Sequence, residues 1–429
     1  MKFEKDFLIG AATAAHQVEG NNIHSDYWAQ EHMVHTDFLE PSGAAVDHYH
    51  LYPEDIRLMA DAGLNAYRFS IEWARIEPEE GKFNMAELEH YKDVIRTCKE
   101  NGIEPIVTLL HFTSPKWLIS KGGWESDETP ALFARYTRNV MEHLGSMLHY
   151  VCTINEANMG IQVAAIAARY MKQMQAKMQA GKTDGTVQMG LNLEKMLANQ
   201  AAAEKERMEI FGVAKTECFT SPRTPRGDEI VMEAHKAARA VIRETAPHIQ
   251  VGLTLSLHDI QVSDGGEANA AKEWDDEFTH YLPAIAEDDF LGVQNYTRTR
   301  IDASGTMPTP EGAELTQMDY EFYPQALENV IRKVAKDFKG NLLVTENGIA
   351  TPDDARRTAF IEAALSGVHA CIADGIPVKG YLHWSLMDNF EWQKGYSMTF
   401  GLIAVDRTTQ KRSPKPSLSV LGSFCGRGA

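Results

Sequence analysis

The stretch NLLVTENGIATPDD, residues 341–354, carries the pattern on which the fold prediction rests. Its apolar residues 342–344 predict a strand buried on both faces, and Asn347-Gly348 predicts the turn that ends this strand. Glu346 stands directly before the turn, where a buried carboxylate costs free energy unless a partner compensates for lost water. The stretch therefore predicts a buried strand that delivers an acidic group at its tip.

Seven further stretches share this apolar character and alternate with stretches that carry a helical apolar stripe. Continuous apolar strands joined by helices indicate a parallel sheet covered on both faces, and eight such units predict a (β/α)8 TIM barrel of the α/β class. A doubly wound open sheet is the alternative on pattern alone, but the chain has no glycine-rich phosphate loop to support it. The eight predicted strands cover residues 7–13, 64–71, 105–110, 150–154, 251–257, 290–296, 342–345 and 378–384.

Residues from about 159 to 228 interrupt this alternation. They are rich in Ala, Met and Gln and contain no clear strand, which predicts a helical insertion after the fourth strand. Met171, Met174 and Met178 recur at helical spacing, so the segment fits either a packed helix or an adaptable lid over a substrate. No linker rich in Pro, Gly or Ser divides the chain, and we expect residues 1–429 to form a single barrel domain.

Composition and charge exclude several classes of partner. The 429 residues include 42 Lys and Arg against 60 Asp and Glu, and this formal net charge of −18 argues against nucleic acid and anionic membranes. The five Cys residues are scattered without a CxxC pair, no HExxH motif occurs, and no 18-residue apolar stretch predicts a membrane span. We therefore expect a cytoplasmic protein without a metal or cofactor, whose partner is a small molecule and whose oligomeric state stays open.

Polar and aromatic residues follow most of the predicted strands. Because the carboxyl ends of parallel barrel strands converge, we expect these side chains to share one site. Amides and carboxylates suit the hydroxyl groups of neutral sugars and aromatic faces suit the sugar ring, whereas phosphate would favour Arg and Lys. The candidates are His16, Gln17, Glu19, Arg68, Trp73, His111, Trp117, Asn155, Glu156, Gln294, Tyr296, Glu346, Trp384, Asp388, Asn389, Glu391 and Trp392.

Two glutamates, Glu156 in TINEAN and Glu346 in LVTENG, end otherwise apolar strands. A single glutamate in such a position would more often cap a helix or form a salt bridge. Two glutamates that face each other suit glycoside cleavage by one acid and one nucleophile. We expect Arg68 and the Tyr296 hydroxyl to hold Glu346 ionised, so that Glu156, with no predicted cation nearby, is the proton donor.

Several long motifs occur in an order typical of one enzyme family. With them the chain resembles the family-1 glycoside hydrolases, the retaining β-glucosidase and β-galactosidase group, from about Phe7 to Ser417. The motifs are FLIGAATAAHQVEG (7–20), DHYHLYPEDIRLMADAGLNAYRFSIEWARIEP (47–78), TLLHFTSPKWL (108–118), TINEAN (153–158), LVTENGIA (343–350) and YLHWSLMDNFEWQKGY (381–396).

The resemblance implies a role for each matched residue. Glu346 is implied as the nucleophile and Glu156 as the acid/base, with Tyr296 bonded to the nucleophile and Arg68 beneath it. Trp384 is implied as the floor on which the sugar ring stacks. The residues implied to contact sugar hydroxyls are Gln17, His111, Asn155, Glu391 and Trp392, and Gln294 keeps an amide where the family commonly has Asn.

Other positions depart from the family pattern and bear on specificity. Ala157 stands where the family usually has Pro, which removes no chemical group. Members that act on 6-phosphosugars have Ser where this chain has Glu391, and a phosphate-binding Lys where it has Met398. A carboxylate would repel a 6-phosphate, so the sequence favours an unphosphorylated sugar.

The predicted function is hydrolysis of unphosphorylated β-D-glucosides, with galactosides and fucosides as further candidates, through a covalent glycosyl-enzyme and with retained configuration. The substrate class is a small β-glycoside or oligosaccharide. Three alternatives stay open at this point: a transglycosylase with the same glutamates, a 6-phospho-β-glycosidase, and a non-catalytic sugar-binding barrel.

Overall fold

The computed structural model describes residues 2–180 and 193–426. The strands in this part of the chain are β1 Leu8–Ala12, β2 Ala66–Ser70, β3 Glu104–Leu110, β4 Tyr150–Ile154, β5 Gln250–Ser256, β6 Asp259–Val262, β7 Phe290–Gln294, β8 Arg298–Asp302, β9 Gly305–Thr306, β10 Asn341–Asn347, β11 Val378–Trp384, β12 Ile403–Asp406 and β13 Lys411–Pro414.

Eight of these strands close into a barrel in the order β1-β11-β10-β7-β5-β4-β3-β2, and every neighbouring pair is parallel. Each barrel strand overlaps one of the eight predicted strands. The predicted (β/α)8 TIM barrel is therefore confirmed, and the open-sheet alternative is excluded because the sheet has no free edge.

Helices connect the strands and cover the outside of the barrel. Within the described residues, each helix is too short or too polar to cross a membrane. The α-helices are α1 Ala15–Val18, α2 Asp26–Glu31, α3 His48–Asp61, α4 Trp73–Ile76, α5 Met85–Glu100, α6 Lys116–Ser120, α7 Thr129–Leu144, α8 Met159–Ala180, α9 Leu193–Phe211, α10 Pro225–Thr245, α11 Glu267–Glu277, α12 Leu282–Ile285, α13 Ala326–Val334, α14 Asp354–Ala373 and α15 Pro416–Ser423, and short 3-10 helices lie at Gly123–Glu125, Gly145–Met147, Thr279–Tyr281 and Trp392–Lys394.

Helix α5 illustrates how the local sequence determines an outer helix. The Asn84 side chain accepts a hydrogen bond from the Ala86 amide and so begins the helix. After the helix ends, Gly102 adopts a φ of 66°, a left-handed conformation that glycine tolerates without strain. The stripe that packs against the barrel is the apolar stripe visible in the sequence, namely Leu88, Tyr91, Val94, Ile95 and Cys98.

Two small sheets lie outside the barrel and were not anticipated from the sequence. Strands β6, β8 and β9 form one of them, and β12 and β13 form a hairpin near the C-terminus. Strand β8 ends at Asp302, and the two residues of β9 follow directly after a turn. Strand β8 has the sequence RTRID and is mostly half-buried, so it lacks the apolar run by which the barrel strands were recognised.

The region predicted as an insertion contains helices α8 and α9, and its end overlaps the start of α10. The Met171 side chain is 50% exposed. Met174 and Met178 lie outside the residues whose side chains the structure describes. The single-domain organisation and the role of residues 159–228 remain predictions.

A buried ion pair joins the C-terminal hairpin to the N-terminal half of the barrel. Arg412 on β13 donates two hydrogen bonds to Asp55 on α3, over 2.7 and 3.0 Å, and His48 bonds to the same carboxylate over 2.8 Å. Burial by itself would raise the pKa of Asp55, but the bonds from His48 and Arg412 outweigh it and lower the pKa. Asp55 is therefore charged in the folded protein at neutral pH.

We expect the Asp55→Asn variant to lose about 3–5 kcal/mol of unfolding free energy at pH 7, because the Arg412 charge stays buried without its counterion. The folded-state pKa of Asp55 is lowered, so its contribution is present at neutral pH and is lost as the pH falls through that pKa. Urea unfolding of both proteins at several pH values measures this. Asp61→Asn, at an exposed position of the same helix, is the control, and a loss below about 1 kcal/mol at Asp55 would contradict the expectation.

Candidate active site

A cavity of about 330 Å³ opens at the carboxyl ends of the barrel strands. Seven of the residues predicted for the site line it, and Arg68, Asn155 and Gln17 are hydrogen-bonded to or lie beside residues of that lining. This is the end of the barrel at which side chains from several strands converge. The lining residues are His111, Phe112, Glu156, Tyr296, Glu346, Trp384, Glu391, Trp392 and Phe400.

Glu346 is held at the tip of β10 by two partners from other strands. The Arg68 guanidinium donates to Glu346 Oε1 over 2.7 Å, and the Tyr296 hydroxyl donates to Oε2 over 2.5 Å. The following glycine is required for packing, since a Cβ on Gly348 would lie 2.0 Å from the Trp384 carbonyl oxygen. The two contacts expected from the sequence, from Arg68 and from Tyr296, are both present.

Glu156 leaves the end of β4 in a strained backbone conformation. Its φ is 42°, in the left-handed region that non-glycine residues rarely adopt and that costs of order 1–3 kcal/mol. Thr254 on β5 stabilises this conformation, because its hydroxyl accepts from the Glu156 amide over 2.9 Å and its carbonyl accepts from the Ala157 amide over 3.0 Å. The Ser256 hydroxyl donates to the Glu156 carboxyl. Strand β5 therefore directs the Glu156 side chain into the cavity.

The two glutamates have different electrostatic surroundings. Burial raises the pKa of the Glu156 carboxyl well above its ordinary value, and the negative charge of Glu346 raises it further. Burial also raises the pKa of Glu346, but the charge of Arg68 and the hydrogen bond from Tyr296 oppose the rise. Glu346 is therefore the stronger acid of the pair, and Glu156 is the one that keeps its proton to higher pH.

Asn155 links the Glu346 side of the cavity to His111. Its Oδ1 accepts from Arg68 over 2.5 Å and from the Gln294 amide over 2.8 Å, and this leaves its Nδ2 facing His111 Nε2 at 3.2 Å. Because an amide nitrogen can only donate, His111 Nε2 accepts and the proton of the neutral ring is on Nδ1. Burial and the charge of Arg68 lower the pKa of His111 well below its ordinary value. His111 thus presents an N–H whose nitrogen has no partner within the described residues.

Gln17 and Glu391 form a second polar pair at the edge of the cavity. Gln17 Nε2 donates to the Phe390 carbonyl over 2.6 Å and lies 3.4 Å from Glu391 Oε2, while its Oε1 is buried without a hydrogen-bond partner among the described residues. Burial and the charge of Glu346 raise the pKa of Glu391 to about 8. The pair therefore offers an unused acceptor beside a carboxyl group, an arrangement that suits a hydroxyl group.

The aromatic residues Trp384 and Trp392 both stack on the ring of His111. The centroids of the Trp384 and His111 rings are 5.4 Å apart with an interplanar angle of 24°, and those of Trp392 and His111 are 6.1 Å apart. Trp392 and Phe112 also have positive φ values, 46° and 70°. Three of the residues that line this cavity therefore have a strained backbone, a feature common at functional sites.

Some sequence candidates lie elsewhere, and some site residues were missed. Glu19 forms an ion pair with Arg75, outside the cavity. Gln294 lies behind Asn155 and does not line the cavity, a position that suits a residue that orients Asn155 rather than one that touches a sugar. Thr254 and Ser256, which hold Glu156, were not among the candidates. The two residues stand two positions apart at the end of the fifth barrel strand, so their side chains lie on the same face of it. This spacing was the signal available in the sequence.

The sequence as a whole matches a known family. The model of the family described as glycosyl hydrolase family 1 matches residues 1–426. The chain belongs to glycosyl hydrolase family 1. It is therefore an enzyme that hydrolyses O-glycosyl bonds, and the resemblance predicted from the motifs is confirmed.

Relatives within family 1 match over nearly their whole length. β-Glucosidase A of Acetivibrio thermocellus is 30% identical over 441 residues, which cover 97% of this chain and 96% of the relative. The crystal structure of β-glycosidase BGL167 superposes with a TM-score of 0.86 at 46% identity, and the match covers 99% of this chain and 97% of that one. A β-glucosidase from Thermotoga maritima, solved in complex with cyclophellitol, has a TM-score of 0.79 at 26% identity and 98% coverage of both chains.

We expect the Tyr296→Phe variant to lower kcat/KM by about 10- to 100-fold, because it removes a hydrogen bond to the charged Glu346. The same bond lowers the pKa of Glu346, so its loss raises this pKa and moves the acidic limb of the pH profile to higher pH. The measurement is kcat/KM on an aryl β-glucoside across pH. The matched control is Tyr281→Phe, which removes a buried hydroxyl bond to Asp228 outside the cavity. An unchanged acidic limb in Tyr296→Phe would contradict the assignment of Tyr296 as the residue whose hydrogen bond lowers the pKa of Glu346.

Proposed function

We propose that this chain is a retaining β-glucosidase that hydrolyses unphosphorylated β-D-glucosides through a covalent glycosyl-enzyme. The observation that carries the proposal is the pair of buried glutamates, Glu156 and Glu346, which line one cavity and have unlike partners. Two carboxyl groups that differ in acidity can divide the work of a general acid and a nucleophile.

In the first step, Glu346 attacks the anomeric carbon while Glu156 protonates the departing oxygen. The bond from the sugar to the leaving group breaks, and an ester forms between the sugar and Glu346. Once the charge of Glu346 is consumed in this ester, the pKa of Glu156 falls, because that charge contributes to its elevation. Glu156 can then remove a proton from water, which attacks the ester and releases the sugar with its original configuration.

The polar groups around the glutamates suit a neutral sugar. His111 offers an N–H donor, Gln17 offers an unused carbonyl acceptor, and Glu391 lies beside it. The residues described as lining the cavity include three glutamates and neither Lys nor Arg. Such a lining disfavours a phosphorylated sugar, since a phosphate would meet negative charge without a counterion.

The names of the relatives support glucosides as the substrates. The curated relatives with which this chain shares about a third of its residues include proteins named β-glucosidase A and β-glucosidase. Galactosides and fucosides are further candidates because the same donors and acceptors can meet a hydroxyl group in either orientation. Transglycosylation would use the same two glutamates and differs only in the acceptor of the second step.

The test is a panel of nitrophenyl β-glycosides compared by kcat/KM, with glucose, galactose, fucose and glucose 6-phosphate as the sugars. We expect the glucoside to be hydrolysed and the 6-phosphoglucoside to react at least about a hundredfold more slowly, since the phosphate would be buried without a partner. NMR of the first-formed sugar measures the configuration, which should be β. A preference for the 6-phosphoglucoside, or α-glucose as the first product, would overturn the proposal, and added alcohols reveal any transfer.

A further inference from the structure

A second and larger cavity, of about 740 Å³, lies beside the first. It is bounded by helix α8 on one side and by the sheet of β6, β8 and β9 on the other. Ile166, Met307 and Pro308 give it an apolar wall, and several charged side chains line the remainder. An apolar wall with a few convergent polar groups is typical of a site for a small organic ligand.

This second cavity lies on the Glu156 side of the active site. The Ser256 hydroxyl bonds to Glu156, and the Ser256 carbonyl accepts from the Gln162 amide over 2.8 Å, while Gln162 lines the second cavity. Tyr320 also lines it, with its ring centroid 6.4 Å from that of Tyr296. The two cavities therefore adjoin at the carboxyl end of the barrel. Because Glu156 protonates the departing oxygen in the proposed reaction, the leaving group extends toward this side.

The charges in the second cavity are paired, with one exception. Arg298 donates to Glu321 over 2.7 and 2.8 Å. His258 bonds to Glu277 over 2.6 Å, and Arg169 approaches Glu273 at 3.3 Å. Each of the three carboxylates that line the cavity is therefore paired with one basic side chain. Arg300 follows two residues after Arg298 on β8, and within the described residues its guanidinium has no ion pair and no hydrogen bond.

A second polar group in the cavity also lacks a partner. The hydroxyl of Tyr320 is buried, with the residue only 2% exposed, and it has no hydrogen-bond partner among the described residues. A buried hydroxyl without a partner costs free energy, which a bound ligand can recover. Arg300 is a charged donor without a described counterion, so the cavity favours an acceptor that carries negative charge. The excess of positive charge is local, since the whole chain has a net charge of −18.

We propose that the second cavity binds the leaving group of β-glucosides whose aglycone is an aromatic carboxylic acid, and that Arg300 binds its carboxylate. The aromatic ring would pack on the apolar wall of Met307 and Pro308, and the carboxylate would reach the Arg300 guanidinium. This inference rests on the proposed function, since it concerns the leaving group of the same reaction. Arg300 is assigned as a determinant of substrate specificity that takes no part in bond breaking.

The test compares two substrates that differ only in charge. They are the β-glucosides of 3-(4-hydroxyphenyl)propionate and of its carboxamide, joined through the phenolic oxygen. Two methylene groups insulate the ring from the charge, so the two leaving groups have nearly the same acidity. We expect kcat/KM for the carboxylate to exceed that for the carboxamide by about tenfold, a factor in the range of one charge-assisted hydrogen bond. The preference should decrease as salt is added.

Variants at Arg300 identify the group responsible. Arg300→Gln is expected to bring the ratio close to one and to leave turnover of the carboxamide within about threefold, while Arg300→Lys keeps part of the preference. Arg138→Gln, which removes an exposed guanidinium on the outer helix α7, should leave the ratio unchanged.

Three outcomes distinguish this inference from the proposed function. If the carboxamide is hydrolysed and the wild-type ratio is one or below, the carboxylate site is refuted and the β-glucosidase proposal survives. A ratio near ten that persists in Arg300→Gln refutes the assignment of Arg300. If neither substrate nor a nitrophenyl β-glucoside is hydrolysed, the proposed function fails and this inference fails with it.

Discussion

Glu346→Gly is expected to lower kcat/KM for aryl β-glucosides by at least about a thousandfold, a loss typical of removing a covalent nucleophile. The variant removes the carboxylate that Arg68 and Tyr296 hold in place, and no other carboxyl in the cavity has both partners. Steady-state kinetics on a nitrophenyl β-glucoside measure the loss, and circular dichroism reports whether the barrel is intact.

Azide provides a second measurement for the same variant. Glycine leaves space on the face of the sugar that Glu346 would attack, so azide can enter there and displace the nitrophenolate. The product is expected to be the α-glucosyl azide, because a single displacement inverts the configuration. Rescue that yields the β-azide would contradict the assignment of Glu346 as the nucleophile.

Glu19→Gln is the matched control for Glu346. Glu19 is also a buried carboxylate that pairs with an arginine, Arg75, and accepts from a tyrosine hydroxyl, Tyr91, but it lies outside the cavity. Its replacement tests whether the loss of such a pair anywhere in the barrel suppresses activity. We expect the folded variant to keep kcat/KM within about threefold, because an ion pair that lies outside the cavity affects the stability of the fold rather than the reaction. A thousandfold loss here would make the Glu346 result uninformative.

Glu156→Ala is expected to slow hydrolysis of glucosides with poor leaving groups by about 10²- to 10⁴-fold, the range of general acid catalysis. The effect on kcat/KM should be much smaller for a dinitrophenyl glucoside, because that leaving group departs without a proton. Added azide is expected to restore turnover in the second step and to give the β-glucosyl azide, which retains configuration. Comparing leaving groups of graded acidity in both proteins measures this, and equal losses across the series would contradict the role of Glu156.

The pH profile gives an independent check on Glu156. Its pKa is raised by burial and by the charge of Glu346, so the wild-type enzyme should lose activity on the alkaline side as Glu156 loses its proton. This alkaline limb is expected above the ordinary range of a glutamate and should disappear in Glu156→Ala. Glu72→Gln is the control, because burial raises the pKa of Glu72 to about 7 although it does not line the cavity. The alkaline limb should persist in that variant.

The barrel and the positions of the two glutamates could be predicted from local sequence. Each barrel strand is a continuous apolar run, and such runs between amphipathic helices bury both faces of a parallel sheet. Glu156 and Glu346 stand where two of these runs end, and parallel closure brings strand ends together. The strand pattern therefore contains the information that puts both carboxyls at one end of the barrel.

The support for these glutamates could be predicted only in part. The contacts of Arg68 and Tyr296 with Glu346 were expected, because the second barrel strand carries Arg68 and Tyr296 follows the end of another strand. The contacts of Thr254 and Ser256 with Glu156 were not, although the spacing of these two residues at the end of the fifth barrel strand places their side chains on one face. The backbone strain at Glu156 likewise has no signature in the residue type.

What the sequence by itself determined was the closed parallel barrel and the pair of acidic groups at its carboxyl end, since both follow from apolar periodicity along short segments. Only the tertiary structure decided which nitrogen of His111 carries its proton, because that depends on how Arg68 and Gln294 orient Asn155. It also decided that Arg300 has no counterion within the part of the chain that the structure describes. These properties arise between residues far apart in the chain, and the free energy of a charge or a donor depends on what surrounds it in space.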